Sequence, residues 1–179
     1  MTAPIRPAEE PRVDSRRFAP GHGVPNHPTL PAVILRRALT PPMDTRELER
    51  LLAAHGWGGT WLWEVFPYHH YHPDAHEVLT VVRGSARLML GGAGGSIFEV
   101  EAGDVVVLPA GTGHEQVEKS GGFQVCGAYP RGQENYSTIR AEAGFDEGII
   151  RQIARVALPR ADPIYGIDGP LMNCWTVSR

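Results

Sequence analysis

The sequence predicts an all-β domain, a barrel or sandwich with a few flanking α-helices, and three observations point there. From Thr60 to about Tyr129 apolar residues recur with a period of two in short runs: "TWLWEVF", "EVLTVV", "SARLML", "IFEVEAG", "DVVVLPAG" and "FQVCGAY". Glycine pairs and prolines punctuate these runs at the spacing of a many-stranded domain. The length, 179 residues, suits one domain with a sizeable core better than two.

The elements follow in chain order. Residues 1–30 are rich in proline and charge, and "APGHGVPNHPTLP" reads as an extended arm, either frayed or laid across a neighbour. A single domain over 31–179 begins with "PAVILRRAL", a candidate edge strand. In "MDTRELERLLAAHGWGG" Asp44 and Glu47 match a capping box, Leu48, Leu51, Leu52 and His55 share one face, and glycines end the helix. The strand core spans about 60–130, and 139–179 is helical and turn-rich. There "DEGIIRQIARVALPR" shows helical spacing at Ile149, Ile150, Ile153 and Val156 after Asp146 as N-cap, followed by the turns of "ADPIYGIDGPLMNCW". The absence of an internal repeat excludes a tandem two-barrel chain.

Composition narrows the partners. Net charge is -3, with lysine and arginine scattered singly, so neither nucleic acid nor a membrane surface is expected and a small molecule is. No run approaches the roughly 18 apolar residues of a spanning helix, and "MTAPIRPAEEPRVDSRR" lacks the apolar stretch of a secretion signal; a cytoplasmic location is the expectation. Cys126 and Cys174 have no CxxC spacing and read as reduced thiols.

The chemistry concentrates in "YHHYHPDAHEVLTVVRG", Tyr68 to Gly84. On a strand, residues two apart share a face, so His70 and His72 can converge on one ion. Pro73 and Asp74 turn the chain, and Glu77 opens the next strand, where a hairpin would bring a carboxylate beside the imidazoles. Downstream, "GDVVVLPAGTGHEQVE" offers His114 after a tight turn. Three histidines and a carboxylate suit Fe(II), Mn(II), Ni(II), Cu(II) or Zn(II).

The spacing is specific where each piece alone is not. His70, His72, Glu77 and Gly84 stand as HxH, four residues, E, six residues, G; Gly103, Pro109, Gly111 and His114 stand as G, five residues, PxG, two residues, H. These resemble both halves of the cupin signature, with 18 residues between Gly84 and Gly103, as in compact one-barrel cupins. Glu118 departs from the asparagine common at its position. The segments "GAYPRGQENY" and "ADPIYGIDGPLMNCW" resemble those of small, functionally uncharacterised bacterial monocupins. The resemblance implies a double-stranded β-helix, or jelly roll, with one metal ion per chain near the barrel mouth, and frequent dimerisation through strand and arm exchange. It does not imply a reaction.

Other residues carry weaker expectations. His69 and His76 flank the ligands out of phase and are expected to support them or lie at the surface. Tyr68, in phase with His70, is a candidate proton donor. Gln116 and Glu118 follow His114 at period two; on a regular strand they would face the cavity, where Gln116 could orient ligands or substrate and Glu118 could move protons. Trp61 and Trp63 are expected to pack outside their strand against a helix or partner subunit, which with the arm predicts a homodimer. Arg83 and Arg87 are expected on a solvated face. The leading reading is a non-haem iron oxidoreductase of dioxygenase type, with Fe(II) as the favoured metal. The alternatives are a metal-dependent isomerase, epimerase or decarboxylase, and a non-catalytic metal-containing binding protein.

Overall fold

The structure, a computed structural model, describes residues 5–176. Its strands form two antiparallel sheets. The six-stranded sheet runs β1 (Arg12–Arg16), β2 (Ala32–Arg36), β8 (Val105–Leu108), β5 (Glu77–Arg83), β10 (Gln124–Pro130) and β3 (Trp57–Trp63). The five-stranded sheet runs β11 (Ile139–Arg140), β4 (His70–Tyr71), β9 (His114–Lys119), β6 (Ser85–Leu90) and β7 (Ser96–Glu101). Hydrogen-bonded pairing stays within each sheet, so this is a two-sheet jelly roll rather than a closed barrel.

The apolar runs are continuous because the six-stranded sheet buries both faces. Leu79 and Val81 of β5 and Val106 and Leu108 of β8 point between the sheets, meeting Leu88 and Leu90 of β6. Val78 and Val82, with Val105 and Val107, point the other way. There they pack under α1 (Thr45–Ala54) and the C-terminal segment, through Leu48, Leu52, Ile164, Leu171 and Trp175. The cap of α1 matches the sequence pattern, Asp44 accepting from the N–H groups of Arg46 and Glu47. Helix α2 (Glu147–Ala154) is likewise capped by Asp146 and buries Ile153. A short helix, α3 (Pro170–Cys174), follows.

Two expectations about the N-terminal region are corrected. The described part of the arm is not frayed: β1 pairs along its length with β2, from Arg12 opposite Arg36 to Arg16 opposite Ala32. Asn26 then donates to the carbonyls of Ala19 and Gly91 and accepts from the Gly113 N–H, tying the arm to its own chain. As a result β2 is an interior strand, flanked by β1 and β8, not an edge. The pairing of Trp61 with Trp63 also fails. Trp63 is 67% exposed, whereas Trp61 packs partly buried against the core between the sheets. Arg83 and Arg87 are exposed, and both cysteines are free thiols, Cys126 pushed up to about 12 by burial.

The C-terminal cover hangs on Asp162, which is fully buried. Its Oδ1 accepts from the N–H groups of Ile164 and Tyr165 and its Oδ2 from that of Leu171. Asp162→Ala orphans all three donors, and urea unfolding should register a loss of at least about 2 kcal/mol.

Candidate metal centre

The two sheets each bring part of the site. His70 in β4 and His114 in β9 are direct cross-strand partners in the five-stranded sheet, their ring centroids 4.0 Å apart. His72 follows β4 and is anchored where the Gly111 N–H donates to its carbonyl, 2.8 Å. Gly111 has φ +83, a conformation that favours glycine, in the turn that carries the chain from β8 into His114. Glu77 opens β5 of the opposite sheet and starts the inward series continued by Leu79 and Val81. One ring nitrogen from each of His70, His72 and His114 lies within 4.8 Å of the others. The Glu77 Oε2 is 3.4 Å from His72 Nε2 and 3.2 Å from His114 Nε2.

The orientation of each imidazole is set from behind. Nδ1 of His70 faces the Tyr68 carbonyl at 3.0 Å, Nδ1 of His72 the Ser137 carbonyl at 2.9 Å, and Nδ1 of His114 the Thr112 carbonyl at 2.9 Å. A carbonyl only accepts, so each Nδ1 carries a proton, and a ring in its neutral form presents a lone pair at Nε2. In that form neither nearby Nε2 has a proton to give the Glu77 Oε2, which is buried without a hydrogen-bond partner. An orphaned anionic oxygen facing imidazole lone pairs is the donor set of a divalent metal, and these residues fit one.

Electrostatics show that the carboxylate draws positive charge to this cluster. Burial acts to raise the Glu77 carboxyl, but His72 and His114 outweigh it and hold it well below the usual range. His70 is pushed down to about 2, by burial first and then by His114. For His72 burial acts downward, yet the Glu77 charge leaves the group raised. The site therefore holds a fixed negative charge beside imidazoles, at least one of them firmly neutral.

Several supports carried no sequence signal. The second Glu77 oxygen, Oε1, accepts from the Tyr129 hydroxyl at 2.7 Å, and that hydroxyl accepts from Trp61 Nε1 at 2.8 Å. Burial, and after it Glu77, drives the Tyr129 phenol far upward, so it stays a donor. Trp61 can reach because residue 127 is glycine: a Cβ there would sit 2.2 Å from the indole ring. Behind His72, Asp74 accepts from the N–H and hydroxyl of Ser137 at 2.8–3.1 Å, fixing the carbonyl that orients the imidazole. In sequence Asp74 has the pattern of a turn residue and Trp61 that of packing, and Tyr129 and Gly127 fall within a strand run.

The remaining candidates separate. His76 is fully buried but points away from the cluster: its Nδ1 accepts from the Ala110 N–H at 2.9 Å and its ring meets Trp175 at 4.9 Å. Burial, and then His27, pushes it down to about 3. His69 lies with Nε2 3.7 Å from the Glu115 carboxylate, also outside the cluster. Gln116 is buried, facing inward opposite Leu88. Glu118 does not reach the cavity, and this corrects the proton-transfer role. The register shifts between Arg87, opposite Glu118, and Leu88, opposite Gln116; Val117 is the extra residue of a bulge. Glu118 is thereby turned outward, where its carboxylate meets Arg87 at 3.3 Å. Tyr68 is corrected too: its ring stacks on Phe66 and lies under the Arg140 guanidinium, 3.8 Å away, and it does not line the cavity.

That cavity, of about 180 Å³, opens over the cluster between the sheets. Beyond the four polar residues its walls are Trp61, Trp63, Glu64, Val65, Phe66, Leu79, Tyr129, Tyr136 and Thr138.

Comparison with known proteins agrees with this architecture. A family model described as a cupin domain matches residues 63–121, from the end of β3 past β9. The chain is also 42% identical over 159 residues to the uncharacterized protein YjlB of Bacillus subtilis (strain 168), covering 88% of this chain and 94% of that one. The chain belongs to the cupin family. Among solved structures, this cupin resembles an uncharacterized conserved protein with a double-stranded β-helix domain from Klebsiella pneumoniae, at 18% identity and TM-score 0.38 over 76% of this chain and 84% of that one. It also resembles acireductone dioxygenase from Bacillus anthracis with a cadmium ion in its active center, at 19% identity and TM-score 0.35, over 66% of this chain and 77% of that one. With oxalate decarboxylase from Lactobacillus farciminis it shares 17% identity and a TM-score of 0.32 over 76% of its own length, and it spans only 33% of that chain. Likeness at this level says nothing about the metal or substrate of this cupin.

The geometry ranks the histidines. His72→Ala and His114→Ala should lower metal affinity by orders of magnitude, while His69→Ala, His76→Ala and Tyr129→Phe should cost at most roughly 10- to 100-fold, as expected for groups that orient a ligand. Chelator competition with Zn(II) measures the series. Loss of metal from His76→Ala with retention by His72→Ala would reverse the assigned faces of the strand.

Proposed function

We propose that this cupin binds one divalent metal per chain through His70, His72, Glu77 and His114 and acts on a small organic molecule, with Fe(II) as the metal and dioxygenase-type oxidation as the reaction. What supports it most is the unpartnered Glu77 Oε2 facing the His72 and His114 nitrogens beneath the cavity. Three imidazole nitrogens and one carboxylate suit Fe(II) among the divalent ions. A bound ion would supply open coordination positions for O2 and substrate.

The residues of the chain have the supporting tasks. The backbone carbonyls of Tyr68, Thr112 and Ser137 keep the imidazoles aimed. Tyr129 restrains one Glu77 oxygen and so leaves the other to the ion. Trp61, Phe66 and Leu79 line the space above and limit water. Neither Glu118 nor Tyr68 is in the cavity, so an isomerase or decarboxylase would have to move protons through Glu64 or Tyr136, which line it.

The deciding experiment is anaerobic reconstitution with Fe(II) followed by oxygen uptake with diketones, catechols, thiols and oxo-acids. Substrate-dependent uptake, lost in His114→Ala, is expected; no uptake with any class would sink the oxidative assignment while leaving metal binding to stand on its own measurement.

Self-association belongs to the same reading. β1 is exposed on both faces and is paired on one side only, leaving an open sheet edge. Light scattering at micromolar concentration should give a dimer, and deleting the first 25 or so residues should weaken it. A monomeric intact chain would remove the idea.

A further inference from the structure

We propose that the cavity selects a flat molecule of about one ring whose only negative charge is on the atom it offers to the metal. The proposal rests on the metal-centre reading above and adds the substrate class. Three neutral imidazoles and one carboxylate leave a divalent ion with one net positive charge, enough to answer one anionic ligand atom. Nothing along the walls answers a second. Among the described residues that line the cavity there is no lysine or arginine.

Lys119 and Arg140, which contact or follow wall residues, are both engaged with other groups. Lys119 is paired with Glu64, the one charged wall residue besides Glu77, and Arg140 lies over the ring of Tyr68. A distal carboxylate or phosphate would therefore lie against Trp61, Val65, Phe66 and Leu79, an unpaired charge in a largely apolar space. Neutral polar groups are better served, because two hydroxyl-bearing residues, Tyr136 and Thr138, are among the walls. Size and shape point the same way. About 180 Å³ lies below the roughly 300–1,000 Å³ of most ligand pockets, and aromatic walls favour a π-face.

Two probes isolate the distal charge: 3,4-dihydroxybenzamide and 3,4-dihydroxybenzoate present the same pair of oxygens on the same ring. Titration calorimetry on the full-length Zn(II)-loaded protein, with zinc content measured before and after, should give at least roughly tenfold tighter binding of the amide. Trp63→Arg, which sets a cation at the exposed rim, should narrow or reverse that ratio by strengthening the carboxylate. Equal or tighter binding of the carboxylate by the unaltered protein overturns the charge rule. Retained zinc with neither compound bound overturns the ring-sized cavity. Failure to hold zinc at all overturns the metal reading, and this proposal with it, and is distinguished by the zinc analysis alone.

Discussion

The structure is organised around one buried negative charge. Glu77 is 2% exposed and lies between two apolar sheets, a position where an isolated carboxylate would take up a proton rather than stay ionised. Here it stays ionised because it draws positive charge to the imidazoles 3.2 and 3.4 Å from one oxygen, raising His72, while a tyrosine hydroxyl holds the other. Each of those neighbours is fixed in turn: the histidines by backbone carbonyls, Tyr129 by Trp61, and Trp61 by the missing side chain at Gly127. Removing any outer member frees the next inner one, so the carboxylate reports on residues that never touch it.

The second requirement is that both sheets hold still, since each supplies ligands. The six-stranded sheet meets it by burying its outer face under α1 and the C-terminal segment, which makes that cover part of the site at a distance. His76 belongs to this outer layer. It sits next to Glu77 in sequence, yet strand alternation sends it to Ala110 and Trp175, and its buried, neutral ring is a packing element with one accepted hydrogen bond.

What could be read from the sequence follows from what alternation and spacing encode. The period of two located the strands, the caps at Asp44 and Asp146 located two helices, and the ordered spacing of His70, His72, Glu77 and His114 named the residues that the fold gathers. Long-range contacts leave no local trace. Nothing near Trp61 announces that a glycine 66 positions later will admit its ring, so a tryptophan in an alternating strand reads as packing. The arm was misread for a related reason: Asn26 finds its partners at Gly91 and Gly113, and proline-rich composition describes only how such a segment bends, not what it lies on.

The bulge at Val117 acts as a parity change in the strand. Ahead of it even-numbered residues face inward, as His114 and Gln116 do; beyond it the odd ones take that side, so Lys119 stands opposite the inward Ala86 and Glu118 stands opposite the outward Arg87. One additional residue thus decides the sign of the charge delivered to the cavity side of β9, an ammonium that meets Glu64 instead of a second carboxylate beside it. Relatives of this chain that lack the extra residue, with the same letters around it, would present acid at that rim and so differ in the electrostatics of entry while keeping every ligand in place.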